Sequence, residues 1–135
     1  MRLRTLFVVP ALVVAAQTVR AQEAQTAQDA EKSALIQMKS DLRNLVTAQE
    51  AYYADHSAYA SDVADLKFRN SLNVSVRLTA TQNNAWGAES RSALLPNVAC
   101  VIWINLAEKN RPKVGGKLLQ QGEGEPACAL IEEKK

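Results

Sequence analysis

The chain has few of the residues that build catalytic and metal sites, since its 135 residues include one histidine and two cysteines. Two cysteines and one distant histidine do not supply the four-ligand spacing of a structural zinc site, so we expect no metal and no cofactor. Aromatic residues make up 5% of the chain, too few for a platform on which single-stranded nucleic acid stacks. The composition therefore argues against zinc proteins and single-strand-binding proteins.

The first 21 residues are typical of a secretory signal peptide. Two arginines precede a short apolar run, residues 6–16, and small or modest side chains lead to a predicted cleavage between Ala21 and Gln22. The apolar run has about half of the ~20 residues that a membrane-spanning helix needs, and Pro10 interrupts it. We therefore expect an exported protein, periplasmic or extracellular, with no membrane span after the signal is removed.

Removal of the signal would also change the charge of the protein. The full chain has 16 basic and 14 acidic residues, and three of the basic residues are signal-segment arginines, which leaves 13 basic against 14 acidic residues. A mature chain with a net charge of about −1 and no basic stripe is not expected to bind nucleic acid.

Cys100 and Cys128 are the two cysteines. In an exported chain, an even number of cysteines most simply forms disulfides. The bridge would close a loop of about 29 residues, and the chain-entropy model gives such a loop about 3–4 kcal/mol of stabilisation. Two buried free thiols are the alternative, which an oxidising compartment and a loop rich in glycine and proline disfavour.

Residues 30–55 contain neither glycine nor proline and carry an apolar stripe at helical spacing. This pattern predicts an amphipathic helix that packs either on the protein's own sheet or, as a coiled-coil seam, on another helix. The repeat lasts only about three heptads and is interrupted by Gln49, which favours packing on the sheet. The residues of the stripe are Leu35, Met38, Leu42, Leu45, Gln49 and Tyr52.

From residue 72 the period of the apolar residues changes to two, which predicts strands. Residues 72–80 form the first, residues 85–91 a weaker second, and residues 98–106 a third that is apolar on both faces. Residues 128–130 are predicted to return as a short edge segment, and a helical turn capped by Ser61 links the helix to the sheet.

Strands that follow a helix, rather than alternate with helices, predict an α+β fold. We expect one long N-terminal amphipathic helix packed on a small three- to four-stranded antiparallel sheet, with a disulfide-closed C-terminal loop. The predicted organisation is a signal peptide, a polar flexible arm or frayed helix start, one domain and a frayed tail. Their ranges are 1–21, 22–31, 32–131 and 132–135.

Several stretches resemble type IV pilins and pseudopilins. Residues 38–54, with their Ala-Gln-Glu-Ala-Tyr-Tyr run, resemble the exposed half of the long pilin helix, and residues 57–66 resemble the link into the sheet. The segments around Trp86, Cys100 and Cys128 resemble the strands and the cysteine-bounded C-terminal loop of such subunits. The resemblance implies a non-enzymatic structural or interaction protein whose partner is a subunit of a type IV pilus or a type II secretion apparatus.

The amino-terminal part differs from that family. Pilins carry a glycine before the prepilin-peptidase cut, then a Phe-Thr-Leu-x-Glu start and a long apolar helix. This chain has no glycine before Gly87, and its first acidic residue is Glu23. The resemblance therefore covers about residues 32–130, and it implies a soluble, detached pilin-like headpiece.

No arrangement of side chains in the sequence predicts catalysis. His56 is flanked by Asp55 and Ser57, but sequence neighbours at a helix end do not face one another as a catalytic triad requires. Asp55, Asp62 and Asp65 lack the spacing of a calcium-binding loop. We therefore expect that the protein is not an enzyme.

Two alternative functions stay open. In the first, residues 6–16 are retained as an anchor and the protein is a membrane-tethered subunit. In the second, the protein is a small-ligand-binding module or a hydrolase that uses Trp86, Trp103, His56 and nearby carboxylates. Tryptophans in a small sheet more often belong to the core, which disfavours the second alternative.

Overall fold

The computed structural model describes residues 12–132, and it describes side chains from Val19 to Glu132. Part of the predicted signal peptide, residues 1–11, and most of the predicted tail, residues 133–135, lie outside this range. Two short 3₁₀ helices, Val63–Asp65 and Glu108–Asn110, lie in the connections. The other elements are α1 (Leu12–His56), β1 (Val74–Gln82), β2 (Ala85–Ser92), β3 (Leu95–Ile104), β4 (Lys113–Val114), β5 (Lys117–Leu118) and β6 (Ala127–Leu130).

The predicted α+β fold is confirmed. Strands β1, β2, β3 and β6 form one four-stranded sheet in the order β1-β2-β3-β6, and every neighbouring pair is antiparallel. Strands β4 and β5 form a separate two-stranded hairpin within the C-terminal loop. Helix α1 packs on one face of the larger sheet.

Helix α1 begins earlier than the predicted helix of residues 30–55. Residues 12–29 are rich in alanine and glutamine and contain no glycine or proline, so helix propensity carries the helix through the segment predicted as a polar arm. Every side chain from residue 19 to residue 33 is exposed, and Ala34 is the first buried one. These exposed residues, called the arm below, extend about 22 Å at 1.5 Å per residue.

The helix face that meets the sheet is the predicted apolar stripe. Met38, Leu42 and Leu45 are fully buried against the face of the sheet that carries Trp86 and Ile102. Burial of each such side chain contributes about 1.5–3 kcal/mol, so this layer stabilises the packing of α1 on the sheet. The prediction that the stripe packs on the protein's own sheet is confirmed.

Strand β3 is buried on both faces, as its sequence predicts. Ile102 faces α1, whereas Val101 lies under Val114 from the C-terminal loop. Trp103, on the same outer face as Val101, packs with Leu106. The C-terminal loop therefore covers the sheet on the side opposite the helix.

Two predicted boundaries are wrong for local reasons. Strand β1 begins at Val74 rather than at Leu72, because Asn73 has a positive φ of 61° and turns the chain, leaving the side chain of Leu72 83% exposed. Strand β3 begins at Leu95 and includes Pro96, which lies where the pairing with β2 shifts register. A proline is tolerated at such an irregularity because no ladder hydrogen bond is needed there.

The predicted disulfide is present. Cys100 of β3 and Cys128 of β6 are directly opposite each other in the antiparallel pair, and their sulfur atoms are bonded. The bridge attaches the four-residue edge strand β6 to the sheet and closes the C-terminal loop. Disulfides form and persist in oxidising compartments, so the bond favours a non-cytoplasmic environment.

Within residues 12–132, no helix combines the length and apolar character that a membrane span requires.

Candidate functional site

An open groove of about 670 Å³ lies between the second half of α1 and the link that leads from α1 to β1. Helical spacing places the α1 residues of this helix–link groove on one face of the helix, and the link supplies the facing wall. The helix wall is formed by Asn44, Thr47, Ala48, Ala51 and Tyr52, with Asp55 and His56 at its end. The link wall is formed by Asp65, Leu66 and Lys67.

The end of the helix wall is an aromatic pair. The rings of Tyr52 and His56 stack with centroids 3.9 Å apart and planes 10° from parallel. His56 Nδ1 lies 2.9 Å from the carbonyl oxygen of Tyr52, so this nitrogen carries the hydrogen and donates it. The imidazole therefore pairs one of the last carbonyls of α1, as side chains near a helix C-terminus often do. Both residues of this pair line the groove.

The three aspartates of this region have different surroundings. Asp55 and Asp65 line the groove from opposite walls. Asp62 does not, because its carboxylate accepts a hydrogen bond of 2.9 Å from the backbone N–H of Ala64 and caps the 3₁₀ helix. The predicted cap, Ser61, is thus one residue too early. In residues 12–132, no three His, Cys, Asp or Glu side chains are arranged to hold a metal.

Two buried polar side chains of α1 fix the link against the helix. The carboxamide of Gln49 makes two hydrogen bonds with the backbone of Ala60. The carboxylate of Asp41 accepts hydrogen bonds of 2.7 Å from both the backbone N–H and the hydroxyl of Ser71. Buried polar groups are stable only when paired, so these contacts determine how the link lies on α1. They hold the two walls of the groove in place.

Tyr59 attaches the first part of the link to α1. Its hydroxyl donates a hydrogen bond of 2.7 Å to Glu50, and its ring packs on those of Tyr53 and Trp86 at centroid distances of 4.7 and 6.3 Å. Burial, followed by the hydrogen bond to the carboxylate and its negative charge, raises the pKa of Tyr59 to about 12. The phenol therefore stays protonated at neutral pH and serves as a donor.

A separate polar cluster lies on the other face of the sheet. The carboxylate of Glu89 is buried and pairs with Arg91 at 2.6 Å and with Arg77 at 3.3 Å. Both arginines are substantially exposed, whereas an isolated buried carboxylate would be costly. The cluster therefore serves to keep Glu89 paired within the sheet.

The residues singled out in the sequence do not form one site. Trp86 lies in the core beneath α1, whereas Trp103 lies on the opposite face with the guanidinium of Arg111 3.7 Å from its ring centre. Neither tryptophan lines the groove with His56. Ala21 and Gln22, the predicted cleavage residues, are exposed on the arm within the continuous helix α1.

The groove itself is a feature that the sequence did not indicate. Asn44, Thr47 and Lys67 are ordinary surface residues in the sequence, and only the fold brings α1 and the link together around them. The one local signal was Gln49, a polar residue in an otherwise apolar stripe, which marks a buried polar contact beside the groove.

Comparison with known proteins adds no relative: no protein-family model matches the sequence, and no curated protein resembles it significantly. The groove is open and mixes carboxylates, an aromatic pair and small apolar side chains. That combination suits binding of another molecule.

Proposed function

We propose that the protein is an exported, non-enzymatic, pilin-like protein that acts by contact with a protein partner, in a type IV pilus or a type II secretion apparatus. The observation that supports this best is the long helix α1, which packs on the antiparallel sheet with one half and leaves the arm exposed. The disulfide-closed C-terminal loop further supports the proposal, because the resemblance to pilin subunits includes such a loop.

Export rests on two observations of different kinds. The first 21 residues are typical of a signal peptide, and the Cys100–Cys128 bond suits an oxidising compartment. On this proposal the mature chain begins at Gln22 and keeps residues 22–33 as the exposed part of α1.

The alternative of a membrane-tethered subunit is favoured by one observation. Helix α1 runs without a break from Leu12 through Ala21 and Gln22. In a tethered subunit the apolar residues 6–16 stay attached to this helix and hold the protein at the membrane.

The intact mass of the protein from the extracytoplasmic fraction separates these two forms. Export with cleavage predicts the mass of residues 22–135, with both cysteines unreactive toward a thiol reagent until a reductant is added. The tethered form predicts a mass that includes residues 6–16 and recovery with the membranes. Two thiols that react without reductant would contradict the export proposal.

Partner association is tested by crosslinking in the producing cell. A photoreactive amino acid at exposed Gln28 of the arm is expected to give a crosslink to a filament or secretion subunit. The same photoreactive amino acid at exposed Lys109, which lies outside both the arm and the groove, is the matched control. Absence of crosslinks at position 28, and at further positions of the arm and the groove, would contradict a contact function.

A further inference from the structure

We propose that the helix–link groove binds an arginine side chain presented by a segment of the partner protein. This inference rests on the proposed function in one respect, namely that the partner is a protein. Four features of the groove favour this ligand: its charge, its position at the end of α1, its aromatic pair and the apolar side chains of its walls.

The charged side chains of the groove favour a cation. Asp55 lines the groove from the helix and Asp65 from the link, and neither makes an ion pair with any residue that the structure describes. Lys67 and the ring of His56 are the basic groups at the groove, so two carboxylates stand against one ammonium and one imidazole. A guanidinium between the two aspartates would form charge-assisted hydrogen bonds with one or both of them.

The backbone of α1 adds to this preference. The helix ends at His56, beside Asp55, and the carbonyl groups of a helix C-terminus carry a partial negative charge. A cation in the groove would therefore interact favourably with the helix end as well as with the carboxylates.

The stacked rings and the apolar side chains of the walls favour arginine over a simple cation. A planar guanidinium stacks on aromatic rings, and the stacked residues Tyr52 and His56 both line the groove. Ala48 and Ala51 on the helix wall and Leu66 on the link wall are apolar, and the methylene groups of an arginine would lie along them.

The size of the groove indicates a segment of chain rather than a single ion. Its volume, about 670 Å³, lies within the ~300–1,000 Å³ that small-molecule sites usually have. It exceeds what one ion needs. The polar side chains of Asn44 and Thr47 lie on the helix wall, where they can hydrogen-bond to the backbone of a bound peptide.

The test uses two short peptides and the mature protein labelled with ¹⁵N. The acetylated, amidated tripeptide Gly-Arg-Gly is titrated first, followed by its analogue with citrulline, which has nearly the same shape and no charge. We expect the arginine peptide to bind with a Kd on the order of 1 mM or below and to shift the amide signals of groove residues. The citrulline peptide is expected to bind at least about five-fold more weakly.

Variants then assign the binding to the carboxylates. Asp55→Asn and Asp65→Asn are each expected to weaken binding of the arginine peptide about three- to ten-fold, because each removes one charge from the groove. Asp29→Asn, on the exposed arm, makes the same chemical change away from the groove and is expected to leave Kd unchanged. All three positions are exposed, so the variants should keep the wild-type spectrum outside the altered site.

Equal binding of both peptides, shifts located elsewhere, or full affinity in the Asp55→Asn and Asp65→Asn variants would overturn the proposed arginine site. These outcomes do not depend on whether a filament or secretion subunit is found. Failure of the crosslinking and mass experiments would overturn the proposed function while the peptide result stands by itself.

Discussion

Gln49 of α1 pairs with both backbone groups of Ala60 in the link. Its Nε2 donates to the carbonyl oxygen of Ala60 at 3.1 Å, and its Oε1 accepts from the N–H of Ala60 at 2.9 Å. The two residues are 0% and 1% exposed, so water cannot replace either bond. One side chain thus satisfies a donor and an acceptor where the chain leaves α1 and crosses toward the sheet.

Replacement of Gln49 by leucine, which has a similar volume, is expected to destabilise the protein by about 2–4 kcal/mol. The variant would leave the N–H and the carbonyl of Ala60 buried without partners, and each such group costs about 1–3 kcal/mol. Urea denaturation at neutral pH measures the change in the free energy of unfolding. Gln28→Leu, on the exposed arm, is the matched control and should change stability by less than about 0.5 kcal/mol. A loss for Gln49→Leu no larger than in the control would show that the pair with Ala60 is dispensable.

The same residue shows what the sequence reveals and what it does not. The three- and four-residue spacing of Met38, Leu42 and Leu45 predicted the buried helix face correctly, because burial of a helix face depends on local periodicity. Gln49 stood in that stripe as an interruption. Its partner is a backbone group 11 residues later, and no residue type at position 60 encodes such a contact.

The presence of strands β1 and β3 was predictable for a similar reason. Alternation in β1 and the two apolar faces of β3 are local patterns, and the sheet confirms them. The start of α1 was not predictable from the apolar stripe, since the helix begins at Leu12 and its side chains from residue 19 to residue 33 are exposed. The groove depends on how the link folds back on α1, which is a tertiary property.

Tyr59 is expected to ionise at about pH 12, well above the ordinary phenol pKa of 10.0. Because burial is the largest cause, Glu50→Gln should lower the pKa of Tyr59 only part of the way toward 10.0. Spectrophotometric titration of tyrosinate absorbance measures this, with Tyr59→Phe used to assign the signal. A pKa of 10.0 for Tyr59 in the wild type would contradict its partial burial and its hydrogen bond to Glu50.

The raised pKa of Tyr59 also fixes the sign of a stability change. Between pH 10 and about pH 12 the folded protein holds a proton that the unfolded chain releases, so the free energy of unfolding falls as pH rises through this range. This contribution is fully present below pH 10 and lost above about pH 12. In Tyr59→Phe the free energy of unfolding should fall less over this pH range than it does in the wild type.

Loss of the disulfide is expected to cost about 3–4 kcal/mol. The bond joins residues 28 apart, and closing a loop of this length removes conformational entropy from the unfolded chain. Urea denaturation of the double variant Cys100→Ala, Cys128→Ala measures the cost. Addition of a reductant should destabilise the wild type and leave the double variant unchanged. If the double variant equals the wild type in stability, the bridge does not stabilise the fold.

Residues 22–29 of the arm are expected to contribute almost nothing to the stability of the folded domain. A chain that begins at Ala30 lacks these residues, whose side chains are all exposed, so its free energy of unfolding should match that of a chain that begins at Gln22 within about 0.5 kcal/mol. A chain that begins at Lys39 also lacks Ala34 and Met38, which are 1% and 0% exposed. Removal of a buried methionine alone costs about 2–5 kcal/mol, so this second truncation should be strongly destabilised. If the first truncation lost as much stability as the second, the arm would have to pack on the rest of the domain. If it loses little, the arm is free for contacts with other molecules.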